Sequence, residues 1–388
     1  MKIVGIVAEF NPMHNGHKYL LEKAKEITGA DMAICIMSGN FTQAGNIGIE
    51  NKFVRSKIAI ENGFDLVIEL PTIFATASAE FFCYGAINIL NSLGCLDYLC
   101  FGSETGNTKE LITIAKKLLD NEANIWDIIT ESLKEGISFA KAREYAISKF
   151  LTAGELEISG KSNNILGIEY IKSLIKLNSK IEPIAIKRNT SPEFLSSKQI
   201  RDILQNYSYN NMLQQYILGS EQILKYPKLN DNMYEIIKYS VISNGKEKLK
   251  DIYEVTEGLE NKIYNEVSES ISYNDYIQNV KSKRYQLSKI KRILVNIILG
   301  ITKDKFLYLN NNECCYAHIL AINPSKKSDI LSLINKNTSI PIITSLSDDK
   351  IKTLPCIVQK SLYLDIKASN IHSIINNSAL NKDYTNKL

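Results

Sequence analysis

The sequence predicts an α/β fold, in which an N-terminal domain with a parallel sheet precedes a helix-rich C-terminal domain containing a small α/β element. Apolar runs of strand length alternate with helical patterns through the first half of the chain. The strands are predicted at 3–7, 32–37, 66–70, 98–101 and 181–186, and the helices at 17–27, 52–62, 79–93 and 109–119. This alternation is typical of a parallel sheet with helices on both faces, which binds ligands at the carboxyl ends of its strands.

The strand rhythm stops near residue 201, and residues 210–300 are helix-rich and dense in Asn, Lys and Tyr. The small α/β element comprises a strand at 317–322, a helix at 327–334 and a strand at 340–344. We therefore place the domain boundary between residues 210 and 211. The expected domains are 1–210 and 211–388.

The composition is that of an ordinary globular protein. Of the 388 residues, 45% are hydrophobic and 23% are charged, as in typical soluble chains. No apolar run approaches the ~20 residues of a membrane-spanning helix, and residues 2–8 have the pattern of a strand, not of a signal peptide. We expect a cytoplasmic protein with no membrane association and no obligate protein partner. The seven cysteines lack Cys-x-x-Cys spacing, so we expect no protein-bound metal.

A strand that runs directly into a turn with two histidines is the most specific feature of the chain. His14 and His17 follow the apolar residues 2–8 and are three positions apart, a spacing that places two side chains on one helix face. A helix N-terminus binds anions, and Gly16 lets a ligand approach the backbone. These features predict a site for a nucleoside triphosphate, with both histidines acting at its α-phosphate. A purely structural role for the histidines is the alternative.

A second segment predicts contacts with the rest of the triphosphate. Ser196, Ser197 and Arg201 begin a predicted helix, and Lys187 and Arg188 end the strand before it. The helix N-terminus, the hydroxyls and the cations suit the β- and γ-phosphates. Ordinary helix capping by serine is the alternative.

Two shorter features predict contacts with the nucleoside. Asn163 and Asn164 precede a predicted helix, where they either cap it or contact an adenine or ribose edge. Gly102 ends a strand. It is either a simple turn residue or a place where a ribose or base lies flat on the backbone.

A basic segment in the C-terminal half predicts RNA binding. Residues 276–303 contain no acidic residue. Within them lie six cations, Lys281, Lys283, Arg284, Lys289, Lys291 and Arg292. An apolar stripe at 290–298 indicates an amphipathic helix packed on a core. Its cationic face suits phosphate contacts, with Tyr285 available for stacking on a base; a merely solvated face is the alternative.

Taken together, these motifs resemble the bacterial tRNA(Met) cytidine acetate ligase family of the HIGH-type nucleotidyltransferase superfamily. The strings that carry the resemblance are at 7–17, 37–41, 69–71, 101–104 and 163–167, with 283–285 and 340–342 extending it. The resemblance implies a Rossmann-like, ATP-binding nucleotidyltransferase domain at 1–210. It also implies a tRNA-binding function for the domain at 211–388.

The resemblance implies an ATP-dependent ligase. Such an enzyme activates acetate as acetyl-adenylate, releases pyrophosphate and transfers the acetyl group to the exocyclic amine of the wobble cytidine in elongator tRNA(Met). The product is N4-acetylcytidine. ATP is then a substrate accompanied by Mg²⁺, and acetate and tRNA are the other partners.

Residue by residue, the resemblance implies that His14 and His17 are catalytic. The implied ATP site comprises Val7, Ala8, Glu9, Phe10, Asn11, Pro12, Met13, His14, Asn15, Gly16, His17, Lys18, Tyr19, Leu20, Gly102, Asn163, Asn164, Arg188, Ser196, Ser197 and Arg201. The tRNA-binding residues are the six cations of the basic segment.

The chain also departs from the family pattern. Residues 43–48 are Gln-Ala-Gly-Asn-Ile-Gly, where the family usually shows Gln-Arg-Gly-Glu-Pro-Ala. Ala44 and Asn46 thus replace an arginine and a glutamate. Lys198 stands where a threonine is typical. Two other functions stay open at this point. One is a nucleotidyltransferase that adenylylates a small phosphorylated acceptor, and the other is a non-catalytic RNA-binding protein with a degenerate nucleotide fold.

Overall fold

The computed structural model describes residues 1–189, 191, 194–206, 213, 215–219, 229–256, 258–282, 285–311, 315–386 and 388. Seven strands form one sheet. They are β1 (Ile3–Ala8), β2 (Met32–Ser38), β3 (Leu66–Leu70), β4 (Tyr98–Ser103), β5 (Glu182–Lys187), β6 (Ala317–Ile322) and β7 (Ile342–Ile343). Their order across the sheet is β5-β4-β1-β2-β3-β6-β7.

The five strands predicted in the first half are all present and pair in parallel. Strand β6 pairs antiparallel with β3, and β7 pairs parallel with β6. The predicted small α/β element is therefore present, but its strands extend the sheet of the first half. The domain boundary between residues 210 and 211 stays a prediction, and the sheet contains strands from both sides of it.

Helices cover the sheet and form most of the second half. In the first half they are α1 (Asn15–Thr28), α2 (Lys52–Glu61), α3 (Thr72–Ala75), α4 (Ala79–Ser92), α5 (Thr108–Asp120), α6 (Glu122–Lys134), α7 (Phe139–Ser148), α8 (Ala153–Ser159), α9 (Ser162–Lys176) and α10 (Ser197–Asn206). In the second half they are α11 (Leu229–Leu249), α12 (Leu259–Glu269), α13 (Tyr273–Val280), α14 (Leu287–Leu299), α15 (Lys303–Asn311), α16 (Lys327–Asn337), α17 (Asp348–Lys352), α18 (Cys356–Ile375) and α19 (Lys382–Thr385). Within the described ranges, no helix is both long enough and apolar enough to cross a membrane.

The central strands of the sheet are buried on both faces, so a polar ligand site is expected at the ends of the strands and not on a face. Strands β2 and β3 are buried along their whole lengths, which requires apolar side chains at consecutive positions. The carboxyl ends of β1, β4 and β5 lie side by side because these strands are adjacent and parallel. This edge is the expected place for a ligand in an open α/β sheet.

A buried charge cluster joins α2 and β3 to the C-terminus of the chain. Lys52 Nζ lies 2.8 Å from both carboxylate oxygens of Glu69 and 2.5 Å from Asp383 Oδ1. His318 Nδ1 lies 2.7 Å from Glu69 Oε2. Burial alone would lower the pKa of Lys52, but the carboxylates of Asp383 and Glu69 raise it, so the ammonium stays charged. Glu69, His318 and Asp383 are close enough to share a metal ion, but the ammonium of Lys52 already lies against both carboxylates.

Replacing Lys52 by methionine is expected to lower the free energy of unfolding by about 3–5 kcal/mol, because it leaves two carboxylates buried without their cation. Chemical denaturation of the purified variant measures this. Lys57→Met on the same helix is the matched control, since Lys57 and its partner Glu61 are exposed and such pairs contribute little. Equal stabilities for the two variants would contradict a stabilising role for the cluster.

Candidate active site

The chain leaves β1 through a turn that is tied to a neighbouring loop. Phe10 is buried and has a positive φ of 47°. The Asn11 side chain is buried, with its Nδ2 donating to the Ile47 carbonyl at 3.0 Å and its Oδ1 accepting the Ile49 N–H at 2.7 Å. We call residues 41–49 the β2–α2 loop. The Asn11 side chain therefore fixes the turn after β1 against the β2–α2 loop.

Helix α1 begins with a capping box made of two histidines. His14 is the N-cap residue, and its Nδ1 accepts the Gly16 N–H at 3.0 Å. In return, His17 Nδ1 accepts the His14 N–H at 3.2 Å. This reciprocal arrangement satisfies two backbone donors at the start of the helix. Because both Nδ1 atoms are acceptors, a neutral ring carries its proton on Nε2.

Both histidines are neutral near pH 7. Burial, followed by the positive charges of Arg188 and Arg201, lowers the pKa of His14 to about 4. Burial and the adjacent His14 lower the pKa of His17 well below its usual value. The two ring centroids are 4.0 Å apart. The site therefore offers two neutral Nε2–H donors, which suit an oxygen on which negative charge develops.

The histidines line a cleft of about 420 Å³, a volume within the ~300–1,000 Å³ range of small-molecule sites. The structure brings most of the predicted ATP-site segments together around it. The predicted residues that line the cleft are Val7, Glu9, His14, Gly16, His17, Tyr19, Leu20, Gly102, Asn163, Arg188, Ser196 and Ser197. Three separate parts of the chain thus meet at the carboxyl ends of β1, β4 and β5.

The remaining predicted ATP-site residues lie near the cleft without lining it. They are Ala8, Phe10, Asn11, Pro12, Met13, Asn15, Lys18, Asn164 and Arg201. Ala8 and Met13 belong to the hydrophobic core. Arg201 donates to the Asn11 carbonyl, and its charge acts on His14, so its guanidinium adjoins the histidine turn. A contact of these residues with ATP stays a prediction.

Asn164 fixes the connection between β4 and α9. Its Oδ1 accepts the Ser103 hydroxyl at 2.7 Å and the Glu104 N–H at 3.0 Å. The Glu104 carboxylate accepts the backbone N–H groups of Asn163 at 3.1 Å and Asn164 at 2.9 Å, and the Asn163 side-chain amide at 2.7 Å. A carboxylate is favourable at a helix N-terminus. The clamp holds Asn163 at the cleft, whereas the buried Asn164 acts on the fold.

The chain matches a family model described as HIGH Nucleotidyl Transferase over residues 1–387. Two relatives are each 39% identical to this chain. They are the proteins named tRNA(Met) cytidine acetate ligase from Clostridium botulinum (strain Okra / Type B1) and Clostridium perfringens (strain ATCC 13124). The alignments cover 99% of this chain and 97% and 98% of theirs. The chain belongs to the tRNA(Met) cytidine acetate ligase family.

The fold of a solved family member agrees with this membership. A crystal structure of Thermotoga maritima TmcAL bound with alpha-thio ATP matches with a TM-score of 0.91 and 31% identity, covering 100% of this chain and 99% of that one. The apo form of the same protein gives the same values. The predicted family, the Rossmann-like nucleotidyltransferase fold and the ligase class are confirmed.

In this member of the ligase family, the basic segment has two unlike parts. Lys281 is exposed, and Lys289 Nζ lies 4.9 Å from the centroid of the Tyr285 ring. Lys283 and Arg284 lie outside the described residues. In contrast to Lys281, both Tyr285 and Lys289 are half-buried, and RNA binding by this first part stays a prediction.

The second part of the basic segment is engaged by other parts of the chain. Arg292 is buried and forms a two-pronged ion pair with Glu254, at 2.9 and 2.8 Å. Lys291 Nζ donates to Asn46 Oδ1 at 3.0 Å. The sequence segment is free of acids, but Glu254, from an earlier helix connection, supplies one. The absence of acidic residues within 276–303 therefore does not leave Arg292 without a compensating acid, and an RNA contact by Arg292 stays a prediction.

Helix α14 also packs closely on the β2–α2 loop. Gly45 has a φ of 71°, and a Cβ there would lie 2.4 Å from the Arg292 backbone nitrogen, so glycine is required for this approach. Burial lowers the pKa of Lys291, and the positive charges of Arg201 and Lys198 lower it further, against an opposing effect of Asp202. Helix α14 therefore adjoins the cationic side of the cleft.

The ATP site implied by the family resemblance leaves out part of the cleft lining, although the end of β5 at Lys187 was already expected near the phosphates. The omitted residues are Phe101, Ser162, Leu166, Tyr170, Ile186, Lys187, Asn189, Phe194, Leu195 and Lys198. Phe101, Ile186 and Lys187 lie at the carboxyl ends of β4 and β5, where the rule for parallel sheets points. Leu166 and Tyr170 come from the middle of α9, and nothing in the sequence distinguishes them from core residues.

Replacing His14 by asparagine is expected to separate capping from catalysis. Asparagine is a preferred N-cap residue, so the variant keeps an acceptor for the Gly16 N–H but loses the Nε2–H donor. We expect ATP–pyrophosphate exchange to fall roughly 100- to 1,000-fold, the usual effect of losing one donor to developing charge, with unfolding little changed. His14→Ala loses the cap as well and should cost a further ~0.5–2 kcal/mol of stability. Full exchange activity in His14→Asn would contradict the role of the donor.

Proposed function

We propose that this protein activates acetate with ATP and transfers the acetyl group to the exocyclic amine of the wobble cytidine in elongator tRNA(Met). The observation that carries the proposal is full-length similarity to proteins named tRNA(Met) cytidine acetate ligase, together with a cleft headed by two neutral histidines. The reaction consumes a tRNA, so we place the protein in the cytoplasm.

In the first step, an acetate oxygen attacks the α-phosphorus of ATP and pyrophosphate leaves. Such transfers depend on positioning and charge stabilisation more than on covalent help. His14 and His17 donate Nε2–H to the α-phosphate oxygens. Arg188, Lys198 and Arg201 balance the charge of the leaving pyrophosphate. Carboxylic acids ionise well below neutrality, so acetate needs no general base in this step.

Mg²⁺ enters this proposal as part of the Mg·ATP substrate. Among the described residues that line the cleft, Glu9 is the single carboxylate. Mg²⁺ is usually held by one or two carboxylates together with phosphates and water. The donor set fits an ion whose ligands come mainly from the triphosphate and water, and not a resident metal centre.

In the second step, the tRNA brings its cytidine to the acetyl-adenylate. Helix α14 adjoins the cationic side of the cleft through Lys291, which is close enough to Arg201 and Lys198 for their charges to act on it. A nucleic acid bound at Lys281 and Lys289 therefore lies near the reaction centre. The cytidine is splayed out of its stack to enter the cleft, as in other base-modifying enzymes.

Pyrophosphate exchange tests the activation step. Incubation with ATP and labelled pyrophosphate should give exchange into ATP when acetate is present, because adenylate formation is reversible. Omission of acetate is the control and should abolish the exchange. An acetate-independent reaction with a small phosphorylated acceptor would instead indicate an ordinary nucleotidyltransferase and overturn the proposal.

Salt dependence tests the RNA surface. The double variant Lys281→Ala/Lys289→Ala should bind tRNA more weakly, and the slope of log K against log salt should fall by about 0.7–0.9 for each lost phosphate contact. Filter binding across a salt series measures this. Lys57→Ala, which removes an exposed cation from α2, is the control. A tRNA affinity unchanged in the double variant would show that these lysines do not contact the RNA.

A further inference from the structure

Acetyl transfer to a cytidine amine releases a proton that the cleft must accept. The N4 nitrogen forms a bond to the acetyl carbonyl carbon, the bond between that carbon and the adenylate oxygen breaks, and AMP leaves with the bonding electron pair. The nitrogen then holds one hydrogen more than the product amide. A cytosine amine is a weak nucleophile, so a base that removes this proton during the attack accelerates the step.

The two histidines are unsuited to this task. Their Nδ1 atoms already accept the Gly16 and His14 backbone N–H groups, at 3.0 and 3.2 Å. In the neutral rings, Nε2 carries the proton and has no lone pair to offer. Uptake of a second proton on either ring breaks the capping box, and burial opposes the resulting charge.

Glu9 has the position and the chemistry that the histidines lack. It follows β1 directly, and Val7 and Glu9 both line the cleft while Ala8 points into the core, as strand alternation requires. Its Oε1 accepts the Gln43 N–H at 2.7 Å, which fixes the carboxylate. Among the described cleft-lining residues, no other side chain is a carboxylate.

The surroundings of Glu9 make it a better proton acceptor than an exposed carboxylate. Burial raises its pKa, and the Gln43 N–H with the charges of Arg201 and Arg55 opposes part of that rise. Arg55 approaches from α2 and Arg201 from α10. Burial, followed by the effects of Cys83 and Glu9, raises the pKa of Tyr170 on α9 well above its usual value, so its hydroxyl stays neutral. A carboxylate with a raised pKa takes up a proton more readily than an ordinary one.

We propose that Glu9 is the general base of the acetyl-transfer step, accepting the proton from the cytidine N4 amine as that nitrogen attacks the acetyl carbon. This inference rests on the proposed function and adds a catalytic residue to its second step. The proton passes from N4 to a Glu9 carboxylate oxygen, and AMP leaves as a phosphate monoester without needing an acid. Release of AMP and the acetylated tRNA returns the Glu9 proton to solvent.

The test compares the two half-reactions of Glu9→Gln. The enzyme is first loaded with acetyl-adenylate from ATP and labelled acetate, and is then mixed with an unmodified elongator tRNA(Met) transcript. We expect transfer to the tRNA to slow about 100-fold or more, and acetate-dependent pyrophosphate exchange to slow far less. Hydroxylamine, a strong nucleophile that needs no base, should still trap the acetyl group as acetyl hydroxamate.

The pH profile and two further variants complete the test. Wild-type transfer should rise with pH as Glu9 ionises, and this rise should be absent in Glu9→Gln. Glu9→Asp, which keeps a carboxylate, should restore part of the rate. Glu182→Gln removes an exposed carboxylate from β5 and should behave as wild type in both half-reactions, and thermal unfolding checks that each variant is folded.

The possible outcomes separate this inference from the proposed function. If Glu9→Gln slows exchange and transfer equally, Glu9 acts on ATP, acetate or Mg²⁺ and the inference is overturned. Transfer at the wild-type rate overturns it too. If the wild-type protein shows no acetate-dependent exchange, the proposed function itself fails, whatever the variants do.

Discussion

The fixed position of two ring protons is the constraint on which the chemistry of this cleft depends. The first turn of α1 has backbone N–H groups without helical partners, and two of the N–H groups at this helix start, those of His14 and Gly16, are bonded by imidazole Nδ1 atoms. The same hydrogen bonds therefore close the helix and set the tautomer of both rings. Because the rings are neutral donors, the proposed stabilisation of charge on the α-phosphate needs no change in their protonation.

The β2–α2 loop connects the histidine turn to α14, because it forms hydrogen bonds with both. Asn11 holds one side of the loop through backbone groups, and Lys291 and the close approach at Gly45 hold the other. Asn46 departs from the usual family pattern, yet its side-chain oxygen is the acceptor for Lys291. Asn46 therefore takes part in a contact between the β2–α2 loop and α14, the helix that carries the second part of the basic segment.

Local patterns in the sequence predicted most strands of the sheet and the histidine turn. They did not predict contacts between residues that lie far apart in the sequence. Strands β1 to β5 and the histidine turn follow from periodicity and turn chemistry. The hydrogen bonds of Asn164 to Ser103 and Glu104 could not be predicted because these partners are some 60 residues away in the sequence, and a nucleotide contact by Asn164 stays a prediction. Arg292 looked uncompensated because Glu254 lies 38 residues earlier. Strand β6 was predicted, but no local pattern in the sequence indicates that it pairs antiparallel with β3 and carries β7 at its other side.

The two proposed chemical steps need opposite charges in one cleft. The first step needs cations and the second needs a proton acceptor, and these groups lie on different sides of the cleft. Adenylate formation builds negative charge, and Arg188, Lys198 and Arg201 lie on the side of β5 and α10. Acetyl transfer builds positive charge on an attacking nitrogen, and Glu9 stands at the end of β1, held by a backbone N–H. Arg201 acts on both, since its charge reaches His14 and Glu9. Burial raises the pKa of Glu9, and the backbone N–H that it accepts and the charge of Arg201 oppose part of that rise. The separation of these groups therefore lets one site bind a polyanion and still accept a proton.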